Sequence, residues 1–187
     1  MTRNTSKPIK FAFDREKAIQ AILWLLRRNN GAMDKLKLVK LFFWADREHL
    51  ARYGRPIVGG DYYTMNLGPV SSELLDLVNE ATKATETLPL TTEQTGHQIL
   101  AKGTPDERWL SKSDLDVLDE IYSRYGHMDG FRLSDMTHDL KAYKKNDPPK
   151  GGRKLLPYND FFLDLDARAQ QMLKIILDEQ EAWADFT

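Results

Sequence analysis

The chain has 187 residues, 41% of them apolar, enough for one domain to bury a core without covalent staples. Its 27 basic and 28 acidic side chains leave a net charge of −1, so no global field steers it toward nucleic acid or anionic lipid. The absence of cysteine excludes disulfides and thiolate metal sites and fits a reducing, cytoplasmic setting.

In chain order, the first expected element is a helix over 14–30. Asp14 can cap it, Phe13 can staple its first turn, and Ile19, Ile22, Leu23 and Leu26 recur at helical spacing. Arg27 and Arg28 suit the negative end of the helix dipole, and Asn30-Gly31 ends the helix. The longest apolar run, Ala21 to Leu26, falls far short of the roughly 20 residues that span a bilayer, and no signal-peptide core precedes it. A second helix runs from about Asp34 to Tyr53, with Gly54 as its stop. Leu36, Val39, Phe43, Leu50 and Tyr53 form one stripe, widened by Leu38, Leu41, Phe42 and Ala45. So broad a stripe predicts a central helix with neighbours on several sides, leaving Lys35, Lys37 and Lys40 on the remaining polar face.

After Arg55-Pro56, the aromatic IVGGDYYTMN reads as extended structure with a turn at Gly59-Gly60. Leu67-Gly68-Pro69 reads as a sharp break, after which Ser71 caps a third helix reaching about Ala84. Residues 85–110 suit a surface hairpin. A helix then starts at Ser111 or Ser113 and stops at Gly126, with Leu115, Leu118, Ile121 and Tyr122 facing inward. A short helix follows around Leu133 to Leu140, then a loop by composition over 141–154. The last helix, from about Asp166 to Phe186, sets Ala169, Met172, Ile176 and Trp183 on one stripe. These elements predict a mainly α fold, a compact bundle of about six helices with a small β element, in a single domain over 1–187.

Chemistry is sparse. Gly68-Pro69 is no phosphate loop, because GxxxxGK[ST] does not occur; ordinary turn punctuation accounts for it. His49, His97, His127 and His138 include no pair at i, i+4 and no HExxH, so neither metal nor cofactor is expected. Asp135 and His138 have a spacing that suits acid–base work, but no nucleophile motif accompanies them. A histidine holding a helix end is the expected reading, and no catalytic residue is assigned. Lys141, Lys144, Lys145, Lys150, Arg153 and Lys154 set six cations against one acid, Asp147. Such a segment is either a solvated loop or a patch for phosphates or an acidic partner surface. Trp183 and Phe186 either dock on the core or anchor a partner.

The stretch KLVKLFFWADREHLARYGRPIVGGDYYTMNLGPVSSELLDL resembles the SocA-like Panacea domain, whose members share a KLxKLxYFA helix, a YGRP turn, an aromatic segment and GPV before an amphipathic helix. LSKSDLDVLDEIYSRYG and LSDMTHD resemble its second half, which ends in Ser-x-x-Thr-His. The resemblance covers about 33–145, with the helices over 14–30 and 166–186 expected to pack on that core. It falls on Lys37, Leu38, Lys40, Leu41, Tyr53, Gly54, Arg55, Pro56, Gly68, Pro69, Val70, Thr137 and His138, as structural or partner-binding positions. The chain departs from the pattern at Ser72, where Pro is frequent, at Leu75, where Tyr is, and around Ala142-Tyr143, where Trp is.

Members of that family are typically antitoxins of two-gene modules, often in prophages. They bind a toxin directly or hand it to a protease. The resemblance therefore implies a protein-binding module rather than an enzyme. Its implied partner is a cognate toxin encoded by the adjacent gene, with a protease as a further partner in the adaptor variant. A DNA-binding autoregulator acting through Lys35, Lys37, Lys40 or the 141–154 segment is the alternative, and the near-zero net charge counts against it.

Overall fold

The computed structural model describes residues 8–83, 88–93 and 96–184. Helix α1 (Arg15–Arg28) begins where expected, the Asp14 carboxylate accepting from the Lys17 N–H at 3.0 Å. A strand that periodicity did not predict, β1 (Ala32–Asp34), leads into α2 (Lys35–Tyr53). Asp34 ends the strand and caps the helix, accepting from the Lys37 N–H at 2.9 Å. Gly54 closes α2 in the left-handed conformation, φ 74°, and Met172 packs so close that an added Cβ would lie 3.1 Å from its sulfur.

Helix α2 sits at the centre of the fold, as its broad stripe predicted. Leu38, Leu41, Phe42, Phe43, Ala45 and Leu50 are all buried on it. Among the described residues it packs on β3 (Gly68–Ser71), α3 (Ser72–Glu80), α4 (Lys112–Tyr125), α5 (Gly130–His138) and α7 (Ala167–Ala184). Two expectations for it need correction. Lys40 is 1% exposed rather than on a polar face, and Tyr53, assigned to the stripe, is 47% exposed.

Two small antiparallel sheets complete the architecture. In one, β1 pairs with β5 (Gln98–Ala101), which pairs with β4 (Leu90–Thr92), so the expected 85–110 hairpin gains a third strand from the α1–α2 connection. In the other, β2 (Tyr62–Met65) lies between β3 and β6 (Lys154–Leu155), with Thr64 opposite Pro69 and Lys154. Pro69 thus stands on an edge strand, where its missing N–H costs no ladder bond.

The chain does not turn from the aromatic segment into a helix at Gly68-Pro69, as the sequence suggested. It reverses at Asn66-Leu67 and runs back as β3 before Ser71 caps α3, accepting from the Leu74 N–H at 3.4 Å. The 141–154 segment is likewise more ordered than its composition implied. It contains α6 (Lys141–Lys145) and the start of β6.

Ser111 caps α4 in a reciprocal box with Asp114. Beyond β6 a 3-10 turn, Tyr158–Phe162, buries Tyr158, Phe161 and Phe162. Phe43 and Phe161 meet edge to face at 5.4 Å, tying α2 to this late segment. Helix α7 buries Ala169 and Ile176 on the predicted stripe, while Phe186 and the side chain of Trp183 lie outside the described residues. The result is a mainly helical fold with seven α-helices and two small sheets among the described residues.

Candidate functional site

The two lysines near the start of α2 reach different elements. Lys37 Nζ donates to the Gly126 carbonyl at the C-terminus of α4, where a cation meets the negative end of the dipole. Burial lowers its pKa, with Asp34 and Asp129 opposing the shift. Lys40 Nζ donates to the Pro69 carbonyl at 2.7 Å. Burial pushes that ammonium down to about 7.

Around Pro69 the β2–β3 hairpin is held by side chains of α5 and α6. Ser134 Oγ donates to the Leu67 carbonyl at 2.8 Å, and Tyr143 Oη donates to the Met65 carbonyl at 3.1 Å. Thr137 Oγ1 donates to the Ser134 carbonyl at 2.6 Å and lies against Gly68. Gly68 has φ 88°, and a Cβ on it would overlap Thr137 Oγ1 and approach Lys40 Nζ to 3.1 Å. Only glycine meets both demands. Lys40, Gly68, Pro69 and Thr137, up to 97 positions apart in the chain, are one assembly.

His138, next to Thr137, stacks on Tyr143 at 4.5 Å, and its Nε2 is buried without a hydrogen-bond partner. Asp135 is exposed, and no hydrogen bond or ion pair links it to His138 among the described residues. The pair with acid–base spacing is therefore not assembled.

A second knot forms where α2 ends. The Arg55 guanidinium donates to Asp114 Oδ1 at 3.0 Å and to Ser111 Oγ at 3.1 Å. Lys17 Nζ lies 2.7 Å from Asp114 Oδ2. His49 donates from Nδ1 to the Arg55 carbonyl at 2.7 Å and accepts at Nε2 from Ser113 at 3.1 Å. Burial pushes this imidazole down to about 4, so it is neutral at pH 7. Burial works against the charge of Asp114, but Lys17 and Ser111 hold its carboxyl below the usual range. Tyr53 stacks on His49 at 4.6 Å, and Pro56 is buried beside them.

Sequence reasoning missed Asp46. Its buried carboxylate accepts from the N–H groups of Ile57 (2.8 Å), Val58 (3.1 Å) and Gly59 (3.4 Å) and from Tyr62 Oη (2.9 Å). Burial outweighs these donors and pushes its pKa up to about 6. The available signal was an acid midway along the helix that carries the broad apolar stripe.

The basic segment is less uniform in space than in sequence. Lys145 pairs with Asp160 at 2.7 Å, Lys144 with Asp139 at 3.6 Å, and the Lys141 N–H meets Asp164 at 2.6 Å. Lys154 Nζ donates to the Lys145 carbonyl at 3.0 Å, and Arg153 lies over the Tyr63 ring at 4.5 Å. Lys150 is exposed. The fold thus brings Asp160 and Asp164 to a segment that carries one acid in sequence, and Asp139 just before it supplies a further partner.

Beside the Gly68–Pro69 corner lies a pocket of about 270 Å³, lined by Leu36, Val39, Met65, Leu67, Val70 and Leu75, with Lys40 and Gly151-Gly152. Leu67 at its rim is 47% exposed.

Of the motif's polar side chains, Lys37, Lys40, Arg55 and Thr137 are thus engaged with the protein's own backbone and side chains, while His138 keeps a buried nitrogen without a partner. These contacts tie α2, the β2–β3 hairpin, α4 and α5 into one helical scaffold. Residues 38–144, over half of the chain, match the family model for the antitoxin SocA-like Panacea domain, and the chain belongs to that family. No curated protein and no solved structure matches the chain. No helix among the described residues is long and apolar enough to cross a membrane.

Proposed function

We propose that this protein is the antitoxin of a two-gene toxin–antitoxin module and holds a cognate protein toxin inactive by direct binding. Membership of the antitoxin SocA-like family across residues 38–144 carries the reading. The geometry supports it: Lys37, Lys40, Arg55 and Thr137 have hydrogen-bond partners within the fold, as expected of a scaffold that works by its surface. A stable complex of this kind buries roughly 1,600 Å² in total. The outer faces of α5 and α6, the β4–β5 hairpin and the 141–154 segment supply the exposed area.

Co-expression with the product of the adjacent gene tests the proposal. Relief of that product's growth inhibition, with the two proteins co-purifying, is the expected result. The absence of both rescue and co-purification would overturn it. Repeating the rescue in a host lacking the major cytoplasmic proteases separates direct occlusion, where rescue persists, from an adaptor, where rescue is lost.

A further inference from the structure

The 141–154 segment keeps a surplus of accessible positive charge after folding. Lys141, Lys150, Arg153 and Lys154 are exposed, and among the described residues none of the four side chains forms an ion pair. Asp147 is the one acid of the segment. The fold draws its two ends together. Thr64 Oγ1 donates to the carbonyls of both Asn146 and Lys154, and Lys154 Nζ donates to the Lys145 carbonyl at 3.0 Å, so the end of α6 and the start of β6 lie side by side.

Apolar and aromatic surface adjoins this charge. Leu155 stands opposite Tyr63 in the β2–β6 pairing, so the two side chains share one face of the sheet, and Leu155 is 48% exposed. The Arg153 guanidinium lies over the Tyr63 ring, 4.5 Å from its centroid. An arginine stacked in this way is held in place ahead of binding, so less side-chain entropy remains to be lost. Arginine and tyrosine are also enriched among the residues that dominate interface energies.

The chemistry of the partner follows from this mixture. Accessible cations around an exposed leucine complement carboxylates set beside an apolar side chain. A nucleic-acid backbone fits less well. One arginine-covered ring is no platform for stacked bases, and the exposed Asp139, Asp147 and Asp164 in and around the segment repel a continuous run of phosphates.

We propose that the exposed face of β6, with its flanking cations, is where the toxin docks, and that the toxin presents to it an acidic surface carrying an apolar side chain. Toxin carboxylates meet Lys150, Arg153 and Lys154 while the apolar group covers Leu155. The inference rests on the antitoxin reading and names its surface and the chemistry of its partner.

The test follows binding of the purified product of the adjacent gene by surface plasmon resonance, with circular dichroism to check that each variant is folded. Lys150→Glu combined with Arg153→Glu reverses two exposed charges, and Lys112→Glu on the exposed face of α4 is the control. Wild-type association is expected to slow as salt is raised. At low salt the double variant is expected to associate on the order of tenfold more slowly, with the control unchanged. Leu155→Ser is expected to speed dissociation and leave association unchanged, a split that long-range charge alone does not produce. Changing one toxin Asp or Glu to Lys is expected to weaken binding to wild type and to restore it to the double variant. Should the double variant not fold, Lys150→Gln with Arg153→Gln carries the same test. A folded double variant that associates as fast as wild type, or a folded Leu155→Ser that dissociates no faster, overturns the docking assignment and leaves the antitoxin reading standing. So does a double variant that loses binding to a random-sequence DNA duplex while keeping the toxin, which would make the patch a polyanion site. No binding by the wild-type protein overturns both.

Discussion

Lys40 Nζ lies 2.7 Å from the carbonyl of Pro69, so the central helix holds the edge of the second sheet from inside the protein. A lysine in this position has a measurable pH consequence. Its pKa falls from 10.5 to about 7 on folding because burial disfavours the ammonium. Between those values the unfolded chain binds the proton and the native protein does not, so stability rises with pH across the interval. The contribution is complete above about 10.5 and is lost as pH falls to about 7. Lys40→Met should remove a slope of about 1.4 kcal/mol per pH unit from urea unfolding measured at pH 7.5 and 9.5. Parallel pH profiles for variant and wild type would mean that the lysine stays charged.

Gly68 faces Thr137 across the same corner. Gly68→Ala forces a Cβ into Thr137 Oγ1 and requires a left-handed φ of 88° from an L-residue. Together these should cost about 3 kcal/mol. Thr137→Ala removes the obstructing hydroxyl, so the double variant should be more stable than the sum of the single losses predicts. Strict additivity in a denaturation cycle would show that backbone strain alone sets the cost.

The relation between Lys40 and the corner explains what the sequence made legible. Helix α2 was readable because its apolar residues cover most of the turn, and Asp14, Gly54, Ser71 and Ser111 have the chemistry that helix ends require. Lys40 was misread because periodicity records where a residue points and not what covers it; the cover comes from β3 and α5, distant in sequence. The Gly-Pro break was recognised but its partner strand was not, since β3 consists of Gly, Pro, Val and Ser, a poor strand by propensity. Its pairing with β2 is set by the Asn66-Leu67 turn and by contacts from α5. The basic segment looked unopposed because Asp160 and Asp164 reach it only through the fold.

Asp114 connects three segments through Lys17, Arg55 and its own helix cap. Asp114→Asn leaves the cations without their counter-charge and should destabilise by about 3 kcal/mol at pH 7. The folded pKa of this group lies below its ordinary value of 3.8, so its stabilisation is present above that value and is lost as pH falls. Acid unfolding of the variant should accordingly show a shallower pH dependence below pH 4. An unchanged acid limb would assign the sensitivity to other carboxylates.

Asp46 has the opposite sign, although it too is a buried acid with several donors. Its four partners converge on two oxygens, three of them backbone N–H groups of residues 57–59. Asp46→Ala orphans all four and should cost about 4 kcal/mol. Asp46→Asn should cost only about 1–2 kcal/mol, because the amide retains one acceptor and Tyr62 can turn its hydroxyl to accept from the new NH₂. Burial raises the folded pKa from 3.8 to about 6, so the native protein holds the proton more tightly than the unfolded chain in that interval. Stability from this group therefore falls as pH rises from 4 to 6, by about 3 kcal/mol in all. Asp46→Asn cannot titrate, so its stability relative to wild type should improve across the same two units. A variant that instead loses ground to wild type as pH rises would show that the four donors outweigh burial and that the carboxylate stays ionised.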